Sequence, residues 1–217
     1  MKKEDRLLEG DPADEKDKIK RGESQYPENG LVLKSFSRDL DRKGLDKNDW
    51  RTTAWNWDFV WFNESEAKSL MPAKLTKDTE WVMPEKLVRR LYRIYFRDNV
   101  RGQTGPYSDS SIETATLKFK IKKMKRKGIE IEIEGIVKIK DGTRGVEGKI
   151  IGEAVYDPAK NRFTKFELVM TGERWGETQY NARKDDTERA PIGFAMQMTG
   201  DHPVDRIAPS HLGAYGW

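Results

Sequence analysis

The clearest recognition chemistry in this chain is carried by flat aromatic rings. Three of its seven tryptophans, Trp55, Trp57 and Trp61, fall within the stretch "AWNWDFVWFN" at 54–63. Rings at alternate positions stack on sugars or apolar ligands when they stand on one side of a strand. At period two, Trp55, Trp57, Phe59 and Trp61 share one face, and Asn56, Asp58, Val60 and Phe62 share the other. A helix would scatter Asn56 and Asp58 among the apolar positions. The aromatic, poorly helix-forming composition therefore predicts a strand. Its all-aromatic face has two uses: the core of a domain short of aliphatics, or the partly exposed floor of a pocket. Trp175 in "ERWG" and the terminal "YGW" would add rings if the tail folds back. The candidate ligand-binding residues are thus Trp55, Trp57, Trp61 and Trp175. The implied occupant is a small apolar or carbohydrate ligand, or a protein partner.

Other clusters carry weaker signals. The run "KFKIKKMKRK" at 118–127 holds seven Lys or Arg in ten positions, the composition of a nucleic-acid patch. Half of it alternates like a strand, and a facing glutamate stripe cancels its field, so nucleic acid is not the expected partner. Arg89, Arg90, Arg93 and Arg97 are read as the solvated face of a helix whose long stems cover apolar neighbours. His202 and His211 are the only histidines. With Asp201 and Asp205 they form a conceivable metal set, but "DHPVD" has no metal-ligand spacing and reads more simply as a turn. Glu153, Asp157, Glu167, Glu173 and Glu177 are the carboxylates available for acid/base work at strand ends. The chain carries no G-x-S-x-G, H-E-x-x-H, P-loop or G-x-G-x-x-G. No catalytic residue, metal or cofactor is expected.

Composition bounds the remaining choices. Hydrophobic residues are 35% and charged residues 36% of 217, so the core rests on few, large side chains. A net charge of +4 is close to balanced. The absence of cysteine excludes disulfides, thiolate catalysis and Cys-based metal sites. No stretch has the apolar length of a membrane-spanning helix. Two compartments fit: the cytoplasm if Met1 is native, or the periplasm or exterior if a signal peptide was removed.

The elements that must position these residues follow from periodicity. Residues 1–29 are charged and punctuated by Gly and Pro, which reads as a disordered leader before one β-rich domain over 30–217. "GLVLKSF" has the composition of a strand. "NESEAKSLMP" predicts a short helix capped by Asn63 with Glu66 in the capping-box position. "MPEKLVRRLYRIYFRDN" predicts the main amphipathic helix, about 84–97, with Leu87, Leu91 and Tyr95 four apart. From residue 115 to 199 the period becomes two. Lys122, Lys120 and Lys118 are expected to face Glu130, Glu132 and Glu134 across a hairpin, with Gly128 supplying a special backbone angle and Lys125 to Lys127 unpaired at its tip. Turns at "DG" (141–142) and "DPAKN" separate the later strands, and Ile192, Phe194, Met196 and Met198 point inward from the last. The class is α+β: an antiparallel meander forming a curved sheet or partly open barrel, with a turn-rich tail wrapped on its surface. Three functions are compatible with this chain: a non-catalytic binding domain, a hydrolase-like enzyme using strand-end carboxylates, or a tethered structural or envelope-associated domain.

Overall fold

A computed structural model describes residues 25–102, 104–126, 128–200 and 202–217. The chain forms an eight-stranded antiparallel sheet in the order β2-β1-β8-β7-β6-β5-β4-β3. The strands are β1 (Leu31–Asp39), β2 (Trp55–Phe62), β3 (Glu80–Val82), β4 (Ile112–Lys125), β5 (Gly128–Asp141), β6 (Arg144–Asp157), β7 (Arg162–Trp175) and β8 (Ala190–Met198). Two helices, α1 (Glu64–Ser69) and α2 (Glu85–Tyr95), lie between β2 and β4. The expected α+β class and antiparallel meander are thus realised. No helix among the described residues is long and apolar enough to cross a membrane.

The alternation decides which side chains fill the interior. Phe119, Ile121, Ile131, Ile133, Ile150, Phe166, Met170, Phe194 and Met196 come from five strands, β4 to β8, and form one core with almost no exposure. The β5–β6 hairpin closes in a two-residue turn, with Asp141 opposite Arg144. Gly142 takes a φ of 61°, a left-handed angle that a Cβ resists. The capping box on α1 is present in full: Asn63 accepts from the Glu66 backbone, and Glu66 accepts from the Asn63 N–H.

The sheet is not closed; α2 bridges its open side. Towards β4, the Tyr92 hydroxyl donates to Thr116 O at 2.8 Å. Towards β2, Tyr95 Oη donates to Phe59 O at 2.7 Å, and Arg90 Nη2 donates to Trp61 O at 3.1 Å. The free edge of β2 is completed by other side chains. Asn56 Oδ1 and Asp58 Oδ1 accept from the N–H groups of Trp57 and Phe59, and the Tyr215 hydroxyl accepts from that of Trp61. Three N–H groups of an edge that would otherwise template foreign strands are therefore satisfied within the chain.

Several expectations are corrected. Lys118 faces Glu134 and Lys120 faces Glu132, but a bulge at Lys122 puts Lys123 opposite Glu130. Lys125, expected to be unpaired, pairs with Glu130. Gly128 begins β5 with an ordinary backbone angle. Arg90 and Arg97 are buried rather than solvated, because α2 packs two faces into the gap. Most of the expected leader, and Lys127, lie outside the described residues. Of the residues assigned to the leader, 25–29 are described, and among them Tyr26 meets Trp61 edge-on at 5.5 Å and Glu28 pairs with Arg206 at 2.5 Å.

Candidate functional site

The register that fills the interior with even-numbered residues of β2 turns its tryptophans outward. Asn56, Asp58, Val60 and Phe62 lie opposite Ser37, Ser35, Leu33 and Leu31, which belong to the inner face of β1. Trp55, Trp57, Phe59 and Trp61 therefore share the outer face, as period two predicts. Their fates diverge along the strand. Trp55 is 58% and Trp57 39% exposed, whereas Phe59 and Trp61 are buried. The cover over Trp61 is the tail: Trp217 stacks on it at 6.3 Å and 18°, and Tyr215 caps its backbone. Trp61 is thus part of the packing, not of an accessible platform. Trp175 stands elsewhere, at the far end of β7, with its ring over Gly145 and the Arg189 guanidinium 4.1 Å from its centre. Of the four candidate tryptophans, only Trp55 and Trp57 come together at the surface.

They come together with residues that no aromatic motif announces. Across the outer face, Trp57 pairs with Phe36, Phe36 with Ala195, Ala195 with Val169, and Val169 with Ile151. This is one apolar row over five strands, and Ile151 and Val169 are exposed. Gly193 and Ala195 are small, so the row dips between β7 and β1 into a depression of about 300 Å³. Its walls include Phe36, Leu40, Trp55 and Val169, and Arg38 and Thr171 stand among them. Trp55 leans on Phe36 at 6.1 Å, and Lys34 Nζ lies 4.3 Å over the Trp57 ring.

Of the carboxylates considered for catalysis, only Glu153 and Glu167 come together, at a depression of about 440 Å³ on the sheet surface that Glu132 and Lys122 also line. Glu153 and Glu167 face each other on the outer surface, and Lys165 pairs with both. Glu173 is held with Glu147 by Arg189, and Asp157 accepts from the N–H groups of a turn. Glu177 is exposed on its loop. His202 and His211 are not part of a metal-binding group among the described residues; Asp201 lies outside them.

Two polar assemblies escape the sequence. The first plugs one end of the open barrel. The "GETQYNARKDDTERA" loop folds inward so that Arg183 meets Asp39 at 2.8 and 2.9 Å and Asp98 at 2.8 and 3.0 Å. Arg174 and Asp186 join it, with Arg42 and Arg51 reaching Asp186 at 2.8 and 3.1 Å. Burial works to raise the Asp186 carboxyl, but hydrogen bonds and charge from Arg42 and Arg174 win and hold it at about 2. The second assembly surrounds Arg97. Ser210 donates to Asp58 from N at 2.9 Å and Oγ at 2.5 Å, which brings His211 Nδ1 to 3.1 Å from Arg97 Nη2. Burial pulls the Arg97 guanidinium below its usual range. Loop composition alone announces neither cluster, because each pairs residues far apart in the chain.

The fold and surface define an open antiparallel barrel, bridged by a helix, plugged by ion pairs and grooved on its outer face. No family model matches the chain, and no curated protein or solved structure matches it either.

Proposed function

We propose that this chain is a binding domain that takes a small apolar ligand, a flat ring or a short acyl chain, in the outer groove beside Trp55. One observation carries this reading: the in-register apolar row from Ile151 to Trp57, with the depression at Gly193 and Ala195. Apolar surface left in water costs about 25 cal/mol per Å², and contiguous exposed patches on soluble domains mark contact sites. The groove walls are almost wholly apolar, which supports an apolar ligand over a sugar, whose hydroxyls require paired donors and acceptors. Trp55 and Phe36 supply the ring surface, and Arg38 and Lys34 flank it with positive charge suited to an amphiphile's head.

Titration with dodecanoate and with 1-anilinonaphthalene-8-sulfonate, followed by tryptophan and dye fluorescence, tests the proposal. Trp55→Ala and the groove-filling Ala195→Leu should each weaken binding about tenfold, a loss near 1.4 kcal/mol, with the melting temperature unchanged. Equal affinity in both variants and the parent would sink it.

A further inference from the structure

The end of the barrel opposite the ionic plug holds a polar cleft of about 260 Å³. Asp39 and Arg174 anchor the plug near the ends of β1 and β7, and Val32 and Arg162, near the starts of the same strands, line the cleft. Two sets of polar side chains also line it. Asn29, Glu64 and Lys68 come from the turn before β1 and from α1, whereas Lys160, Asn161 and Arg162 come from the turn that opens β7. No hydrogen bond or ion pair among the described residues joins the first set to the second.

The two sets are unequally satisfied. Lys68 pairs with Glu64 at 2.6 Å, and Asn29 hydrogen-bonds to the same carboxylate. On the β7 side, Lys160 reaches Asp157 only at 3.7 Å, and Arg162 holds no carboxylate among the described residues. Asn161 Oδ1 accepts from the Tyr156 hydroxyl, which leaves its amide N–H groups as donors. This turn therefore offers two cations and an amide with donor capacity to spare, which suits an anionic group. The first set offers carboxylate and amide oxygens with lone pairs remaining, which suits hydroxyl donors. An apolar ligand would strand both sets.

We propose that the cleft binds a monosaccharide carrying an acidic group, a sugar phosphate or a sugar acid. Its anion lies at Lys160, Asn161 and Arg162, and its hydroxyls lie at Asn29 and Glu64. The volume falls just below that of drug-sized pockets, so one sugar ring with its acidic group fills it. The cleft shares no residue with the outer groove beside Trp55, so the two readings stand or fall separately.

Calorimetric titration of the full chain with glucose 6-phosphate, glucuronate, glucose and inorganic phosphate, at one ionic strength, tests the proposal. One of the two acidic sugars should bind at least about tenfold more tightly than glucose or inorganic phosphate, since charged hydrogen bonds add to those of the hydroxyls. The tighter of the two identifies the anion as phosphate or carboxylate. Arg162 and Lys160 are exposed, so Arg162→Gln and Lys160→Gln should fold as the parent does. Each should weaken the tighter sugar about tenfold and leave dodecanoate binding unchanged. Arg189→Gln, at an exposed arginine far from the cleft, should leave the sugar affinity unchanged. The proposal is overturned by inorganic phosphate binding as tightly as glucose 6-phosphate, by full affinity in both turn variants, or by no binding of either acidic sugar.

Discussion

His211 is the residue through which acid acts on the C-terminal tail. Its Nδ1 lies 3.1 Å from Arg97 Nη2 and 2.8 Å from Ser210 Oγ, so a proton added to the ring would set two cations side by side. Burial first, and then the Arg97 charge, pull the imidazole below its ordinary value, with Asp58 opposing. The folded chain therefore binds fewer protons than the unfolded one. The linked stability is complete above the unfolded value near 6.5 and is lost as pH falls below it. Urea unfolding of His211→Gln, whose amide oxygen can accept from Arg97, should fall less than the parent between about pH 7.5 and 5. Equal slopes would refute the assignment. At this scale the sequence is least informative. Arg89 and Arg93 do lie near solvent, with Arg89 on Asp109, but Arg90 and Arg97 do not. Their partners Glu66 and His211 are 24 and 114 positions away, and no helical period encodes such a pairing.

Among the elements, β2 shows how an edge strand is closed without a neighbouring strand. Tyr215→Phe removes the acceptor of the Trp61 N–H and leaves that group buried and unpaired. It should cost about 1–3 kcal/mol in urea unfolding, whereas a cost near zero would mean that the edge is satisfied otherwise. The alternation that placed β2, β4, β5, β7 and β8 was legible because one face of each strand is buried and a slip by one residue would invert it. Lys118–Glu134 and Lys120–Glu132 followed from that constraint. The bulge at Lys122 did not, because residues 122–125 of β4 are all exposed and put no side chain into the core that would fix their register. The divergence of Trp57 from Trp61 was equally hidden, since it depends on Tyr215 and Trp217 folding back from the far end of the chain.

For the whole molecule, the ionic plug ties β1, the segment after α2, and the β7–β8 loop into one unit. Arg183→Met strands Asp39 and Asp98 in the interior and should destabilise by about 3–5 kcal/mol, and adding Asp39→Asn and Asp98→Asn should recover part of the loss. Arg189→Met, at an exposed ion pair, should cost less than about 1 kcal/mol. Similar losses for the two single variants would contradict the plug. The strand order has a consequence for synthesis. Because β1 lies between β2 and β8, the β1–β2 hairpin leaves the ribosome with one full edge unpaired. Its missing neighbour is made about 150 residues later, which at ordinary elongation rates is on the order of 10–30 s. Throughout that interval the nascent chain displays Leu33 and Phe36 beside an open edge, a target for the chaperones that bind extended apolar segments.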